Sequence, residues 1–302
     1  MPRRPRRTSG DSRPRTTGRR SSSSPTSSST GTGSRPRPVV TLTTDFGLRD
    51  AFVGVLKGVI LGICPDAVIV DLTHDVPRHD VLQAQLALEA AHRFFPPGTV
   101  HLAVVDPGVG GSRRAIAIEA RGHHYVGPDN GLFTFALSCD FSAVCIESPE
   151  HRLPRVSATF HGRDVFAPAA AHLASGVALE ALGRAVTDPV RAPIPGARRT
   201  GGDVLGAVLG ADRFGNLVTS ISAADIEWLG PGPVEVRVGR TDVGGLVGAY
   251  SEARRGARGA ILGSQGRLEI FVREGSALAA ISPAPRAPVR VRSLRRRARA
   301  PG

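Results

Sequence analysis

The sequence predicts an α/β fold, with an N-terminal, mainly parallel sheet flanked by helices and a small C-terminal all-β barrel. Three observations carry this. Apolar strand-like and helix-like segments alternate up to residue 106. After residue 203 the pattern changes to short strands with glycine-rich turns. Between them lies DPVRAPIPGARRTGG (188–202), a stretch too rich in Pro, Arg and Gly for regular structure.

The elements follow in order. VVTLTTDF (39–46) is β-branched and ends in a polar turn, as a buried strand does. Residues 50–63 carry apolar side chains at helical spacing, with Asp50 as the expected cap. AVIVDL (67–72) is a second strand, and DVLQAQLALEAAHRFF (80–95) a helix closed by Pro96-Pro97-Gly98. TVHLAVVD (99–106) is a third strand. RAIAIEA (114–120) and HHYVGP (123–128) form a hairpin about Arg121-Gly122, a short helix starts near Asn130, and 163–186 reads as helical. Beyond the linker, 203–212, 216–221, 234–239, 259–263 and 267–272 are short strands. The expected division is a disordered basic tail (1–38), an α/β domain (39–190), a linker (191–202), a β domain (203–285) and a second basic tail (286–302).

Strand–helix alternation of this Rossmann-like kind puts ligands beyond the carboxyl ends of the strands. Asp45, Asp71 and Asp106 each fall at or near such an end, and three acids at one rim suggest a site.

Composition removes several function classes. The chain has 302 residues and a net charge of +13. Residues 1–38 carry +9 and 286–302 carry +7, so 39–285 carry −3. The basicity lies in the ends and not on a folded face, which leaves polyanion contact through the tails as the nucleic-acid reading. Arg3-Arg4 and Arg19-Arg20 precede no apolar segment of signal-peptide length. No apolar run suits a membrane span. Three cysteines, Cys64, Cys139 and Cys145, form no C-x-x-C pair, which fits a reduced cytoplasmic protein.

The turn after the first strand, Thr43-Thr44-Asp45-Phe46-Gly47, has one glycine, against a conventional dinucleotide or methyltransferase site. Gly108-x-Gly110-Gly111 has no Walker lysine after it, since Lys57 is the chain's only lysine. Asp71-x-x-His74 … His79-Asp80 matches no strong metal spacing, and no G-x-S-x-G elbow is present.

Three polar-dense segments remain: VVDPGVGGSRRA (104–115), SATFHGRDVFAP (157–168) and DRFGNLV (212–218). Asp106, Arg113 and His161 could hold and activate a water. Arginine favours hydroxide over water, histidine accepts or relays a proton, and aspartate orients either. The same residues could equally form an ion pair that ties a loop beside a satisfied histidine.

At these residues the sequence resembles the S-adenosyl-L-methionine hydrolases, or S-adenosylmethionine hydroxide adenosyltransferases, relatives of fluorinase and chlorinase. The resemblance runs in order through TLTTDFGLRDAFVG (41–54), IVDLTHDVPRHDV (69–81), GTVHLAVVDPGVGGSRRAIAIEA (98–120), YVGPDNGLF (125–133), TFHGRDVFAPAAA (159–171), DRFGNL (212–217) and GSQGRLEI (263–270). It implies an α/β domain followed by a β-barrel, and a homotrimer with each site between two subunits. It implies hydrolysis of S-adenosylmethionine at C5′ to adenosine and L-methionine, with no metal or other cofactor.

By the same resemblance Asp106, Arg113 and His161 form the catalytic triad, with Asp106 also contacting the nucleoside. Asp45 accepts from the ribose diol and Asn216 reaches the ligand across the interface. Ser264, Glu269 and Val272 read the adenine and methionine ends, and Phe160 and Phe214 supply apolar walls, with plain core packing as the alternative for both. The halogenase relatives have a tyrosine at the position of Asp106 and lack the Arg and His. Arg273 stands where the family often has Asn, a departure next to the ligand-reading strand. The alternatives are a halide-using S-adenosylmethionine halogenase and a non-catalytic nucleoside-binding protein with polyanion-binding tails.

Overall fold

A central parallel strand sets the frame. The computed structural model describes residues 36–138 and 140–294. Most of the N-terminal basic segment, Cys139 and the end of the C-terminal one lie outside the described residues. β1 (Val39–Thr44) is buried along almost its whole length, and its neighbours are β2 (Val68–Thr73) on one side and β3 (Val100–Val104) on the other, both parallel to it. β5 (His123–Pro128) adds a fourth parallel strand beside β3. β4 (Ala115–Ala120) pairs antiparallel with β5 as the expected hairpin, and β6 (Phe141–Cys145) closes the edge. The order is β2-β1-β3-β5-β4-β6. The chain leaves β1 to one side and returns on the other, so the strand order reverses at β1/β3, the place where such sheets bind ligands.

Helices cover both faces. α1 (Phe52–Ile63) buries Val53, Leu56 and Ile60 under the sheet and packs against α3 (Ala167–Ala174). Asp50 does not cap it; Ala51 occupies the cap position without a side-chain bond, and Asp50 is turned to a cleft instead. α2 (Val81–Ala91) lies on the opposite face, capped by Asp80, which accepts from Gln83 N–H. The helix expected over 163–186 is shorter: a π-turn (Gly162–Phe166) leads into α3, which stops before Ser175-Gly176. The helix expected near Asn130 is a short 3-10 turn, Thr134–Ser138.

The second sheet is antiparallel throughout its ladder. Its strands are β7 (Arg198–Thr200), β8 (Asp203–Ala211), β9 (Leu217–Ser222), β10 (Val234–Val238), β11 (Thr241–Gly244), β12 (Arg258–Leu262), β13 (Arg267–Val272) and β14 (Pro288–Ser293). They run in the order β11-β10-β14-β8-β9-β13-β12, with β7 on β8. A bridge between Leu246 and Ala260 brings the chain after β11 beside β12 and nearly closes a barrel around Val204, Leu217, Val236, Ile270 and Val291. Two short helices decorate it, α4 (Ala223–Trp228), with a Ser222/Asp225 capping box, and α5 (Ala277–Ile281).

Two expected boundaries are corrected. The segment 286–302 is not all tail, because β14 sits in mid-sheet between β10 and β8. Val289 and Val291 point into the core, while Arg290 and Arg292 pair outward with Asp203 at 2.6 and 3.4 Å. Alternation of period two decides the strand, and the arginines are its solvent side. With residues 286–294 included, the chain from 39 to 294 carries no net charge. Residues 191–202 are also no free linker: Arg191 donates to Leu137 O, Ala192 N–H donates to Thr134 Oγ1, and β7 joins the barrel sheet. Among the described residues no helix is long and apolar enough to cross a membrane.

Candidate active site

The exits of β1 and β3 lie level, since Thr44 pairs with Val104. Asp45 and Asp106 therefore leave the sheet side by side. They line a cleft of about 460 Å³ together with Phe46, Asp50, Phe52, Arg78, His79, Val104, Val109, Thr159, Phe160, His161 and Gly162. Asp71, the third acid expected at this rim, does not line it. It lies one strand over and binds Lys57 and His74.

The loop after β3 brings Arg113 back towards Asp106. Gly110 has φ +76°, and a Cβ there would stand 2.3 Å from the Ala158 carbonyl oxygen, so only glycine lets this loop lie against the segment that carries His161. That segment is fixed by buried Asp164, which accepts from Ser157 N–H at 2.8 Å and from Arg163 Nε at 2.6 Å. The π-turn begins directly after His161, and such turns recur at functional sites.

Arg113, Asp106 and His161 form one connected unit. Arg113 Nε donates to both Asp106 oxygens, at 3.0 and 3.1 Å, and its Nη2 donates to Asp106 Oδ2 as well. The same Nη2 stands 2.8 Å from His161 Nδ1. Guanidinium has no acceptor, so Nδ1 must be the unprotonated nitrogen and the neutral ring carries its proton on Nε2. Burial, and then the Arg113 charge, hold His161 below the ordinary histidine range; Asp106 and Asp164 oppose this only in part. Arg113 is behind Asp106 and His161, with its guanidinium 5.1 Å from the Phe166 ring centre, and is not itself among the lining residues.

The apolar side of the cleft is aromatic. Phe46, Phe52 and Phe160 meet edge to face with centroids 5.2 to 6.0 Å apart. Phe160 thus both packs and lines.

The C-terminal candidates lie elsewhere. Asn216, Phe214, Ser264, Glu269 and Val272 line a second cleft of about 920 Å³ in the barrel, which shares no residue with the first. Asp212 organises its FGN turn, accepting from Phe214 N–H, Asn216 N–H and Asn216 Nδ2 at 2.8 to 2.9 Å. Glu269 is buried and accepts from Tyr250 OH at 3.0 Å. Burial, reinforced by Asp212, raises its carboxyl above the usual range although the Tyr250 bond pulls it down. Burial and the neighbouring Glu269 push the Tyr250 phenol up to about 12. A Cβ on Gly263 would stand 1.8 Å from Glu269 Oε1, so glycine makes room for this carboxylate. Phe214 is 78% exposed, which removes plain core packing as its role. Arg273 lines this cleft too, with Nη1 donating to the Ser251 and Ala253 carbonyls.

Several lining residues were not singled out from sequence. Phe46, Phe52 and Arg78 lie inside the quoted motifs without an expected role, Asp50 was expected as a helix cap and His79 in the Asp71–Asp80 spacing; nearness to Asp45 in the chain was a signal for Phe46, Asp50 and Phe52 alone. Tyr250 had none, standing in a short 3-10 turn (Tyr250–Glu252) between β11 and β12. Of the residues in the spacing around His74, Asp71 and His74 face each other at 3.1 Å, Asp80 caps α2, and the backbone N–H of His79 donates to Asp45 Oδ2 at 2.9 Å.

Sequence models of the SAM hydroxide adenosyltransferase N-terminal and C-terminal domains match residues 40–183 and 206–290. The chain is 45% identical over 265 residues to an (R)-S-adenosyl-L-methionine hydrolase of Thermus thermophilus, covering 84% of this chain and 99% of that one. It is 32% identical over 225 residues to a fluorinase of Nocardia brasiliensis, covering 65% and 75%. A crystal structure of a conserved Thermotoga maritima protein superposes with a TM-score of 0.79 at 36% identity, over 84% of this chain and 99% of that one.

Proposed function

The chain belongs to the SAM hydroxide adenosyltransferase family, and on that premise we propose that it hydrolyses S-adenosyl-L-methionine to adenosine and L-methionine. The observation that carries this reading is the Arg113 fork, which binds Asp106 and His161 at the mouth of the β1/β3 cleft.

In the reaction a water oxygen bonds to C5′ as the C5′–S bond breaks. The bond pair goes to sulfur, which leaves as the neutral thioether of methionine, and the water's proton passes to solvent. The sulfonium is already a good leaving group and needs no acid. Catalysis then consists of holding water and C5′ in line and keeping bulk water away.

The tautomer assigns the roles. With Nδ1 occupied by Arg113, His161 offers an N–H at Nε2 and orients the water oxygen. It does not act as the base in this state. Arg113 contributes fixed positive charge that favours a hydroxide-like nucleophile, acting from behind His161 and Asp106. Asp106 holds the fork and, lining the cleft, faces the nucleoside. Asp45 is a bidentate acceptor for the ribose diol, and Asp50, at the same cleft, suits the substrate's ammonium. With Asp106 paired by Arg113, the carboxylates of Asp45 and Asp50 against the single Arg78 on this wall favour a cationic substrate.

The barrel cleft supplies the other half of the site. Asn216, Ser264, Glu269 and Val272 are the groups for the adenine and methionine ends. Two clefts with no shared residue, each beside exposed apolar side chains (Leu48, Phe52 and Val109; Phe214 and Leu278), support an assembly in which one subunit's β1/β3 cleft meets a neighbour's barrel, and the family resemblance makes the homotrimer the assembly we propose. We assign the protein to the cytoplasm, on the strength of the free buried thiols of Cys64 and Cys145.

The decisive assay incubates the protein with S-adenosylmethionine, with and without fluoride or chloride, and separates the nucleosides. Adenosine formed regardless of halide supports hydrolysis. A 5′-halo-nucleoside formed only with halide would move the chain to the halogenase side, and no turnover would leave a nucleoside-binding protein.

A further inference from the structure

The loop after β1 is held by a series of polar contacts that the reaction scheme leaves unused. Thr44 ends β1, and its hydroxyl lies 2.8 Å from His74 Nδ1 and accepts from Phe46 N–H at 3.2 Å. His74 Nε2 lies 3.1 Å from Asp71 Oδ1, close but not aligned as a straight hydrogen bond. Asp71 Oδ2 receives Lys57 Nζ at 2.6 Å.

Chemistry orders the series. A neutral His74 facing a carboxylate oxygen carries its proton on Nε2, so Nδ1 accepts and the Thr44 hydroxyl donates to it. The Thr44 oxygen is then free to accept from Phe46. Thr44 and His74 are buried, whereas the Lys57–Asp71 pair is about a third exposed. Burial of Asp71 would raise its carboxyl, but the Lys57 and His74 contacts outweigh this and hold it below the ordinary range.

A hydroxyl, an imidazole and a carboxylate in series have the composition of a nucleophile triad. Thr44 is not one: it is fully buried and its oxygen is already engaged.

The series instead grips the loop that carries Asp45. Phe46 is tied to Thr44 Oγ1, Gly47 N–H donates to the His74 carbonyl at 2.8 Å, and Val76 N–H to the Thr44 carbonyl at 3.4 Å. The Asp45 carboxylate itself accepts from His79 N–H at 2.9 Å. His79 adopts φ +64°, unusual for a non-glycine residue, and this conformation goes with an N–H that meets the acid. The turn after β2 thus fixes the turn after β1.

We propose that Thr44 and His74, backed by the Asp71–Lys57 pair, are positioning residues that hold Asp45 for recognition of the ribose cis-diol of the substrate. The inference rests on the reading of Asp45 as the diol acceptor. Its prediction is selective: loosening the series weakens ligands that carry the diol and spares those that lack it.

The test titrates adenosine and 2′,3′-dideoxyadenosine into the full-length protein and its Thr44→Val, Asp71→Ala and Asp45→Ala variants. Thr44→Val keeps the shape and removes the hydroxyl. Asp71→Ala works from a partly exposed side chain and guards against misfolding of the buried variant. Both should bind adenosine about tenfold more weakly, the worth of one hydrogen bond to a charged group, and dideoxyadenosine within twofold of wild type. KM for S-adenosylmethionine should rise in step while kcat stays within threefold, because the diol contact serves ground and transition states alike. Equal losses for both nucleosides, or none, in the two positioning variants would overturn the proposal. Asp45→Ala should abolish the preference for adenosine. If the preference survives there, the diol reading itself fails; if it is lost there but intact in Thr44→Val and Asp71→Ala, the positioning role alone fails.

Discussion

Replacing Arg113 by lysine separates charge from geometry at the proposed site. Arg113 spans both Asp106 oxygens with Nε and reaches His161 Nδ1 with Nη2. Lysine retains the positive charge, so Asp106, nearly buried, keeps a counter-ion and the fold escapes the large cost of an unpaired buried charge. A single ammonium cannot hold the carboxylate in a fork and still serve the imidazole. If it stays with Asp106, His161 loses a charge-assisted bond worth about 1.5–3 kcal/mol. At 1.36 kcal/mol per decade that is roughly ten- to a hundredfold in kcat. Release of the ring from its Nε2–H tautomer removes the orienting donor as well, so about 10² to 10³ overall is expected. KM should change less than about threefold, because Arg113 stands behind the cleft wall. The assay is adenosine formation under saturating substrate, with Tm measured alongside. A kcat within threefold of wild type, at unchanged Tm, would refute the geometric role. A raised KM with unchanged kcat would refute it too, by showing uniform substrate binding instead.

Other consequences are open to direct measurement. His161 titrates below 6.5, and its protonated form cannot accept from Arg113. The rate should therefore fall on the acid side with a midpoint below the ordinary histidine range, and a midpoint above 6.5 would contradict a neutral His161 held by burial and the Arg113 charge. His101 is buried against Thr41, His123 and Tyr125, and burial first, then the neighbouring histidines, lower it to about 3. The unfolded chain takes up this proton near 6.5 and the folded one near 3. Its contribution is thus complete above pH 6.5 and is lost as pH falls between those values, costing about 2 kcal/mol from pH 6.5 to 5. Urea unfolding of wild type and His101→Gln should show this slope shrinking in the variant; equal slopes would assign it elsewhere. Gly263→Ala should displace Glu269 from its place in the barrel cleft and raise KM, read by steady-state kinetics, and an unchanged KM would mean that Glu269 has no part in binding. Finally, inactive Arg113→Ala and Asn216→Ala subunits, unfolded together and refolded one to one, should regain about a quarter of wild-type activity if each site draws on two subunits. No recovery would mean that each chain completes its own site.

Much of this architecture was legible because it is local. Strand and helix periods marked β1, β2, β3, α1 and α2, and polar residues at strand exits marked Asp45 and Asp106. The Asp106–Arg113 pair was visible as two complementary charges across a glycine turn. β14 was misread although its alternation is plain, because four more arginines follow Arg292 and charge dominated the reading. The strand exists because Val289 and Val291 find a core between β10 and β8, which no window of the chain contains.

The sequence by itself therefore determined which segments could form elements and which residue types could do the chemistry, since periodicity and side-chain identity are properties of the chain. The grouping of Arg113 with His161 and the division of the binding residues were implied by resemblance alone; only the tertiary structure decided that Arg113 Nη2 meets His161 Nδ1 across 48 positions, that Asp71 joins Lys57 and His74 and not the cleft, and which residues line each of the two clefts. Those outcomes depend on strand order and loop packing, which bring distant residues within hydrogen-bond reach and leave no local trace in the sequence.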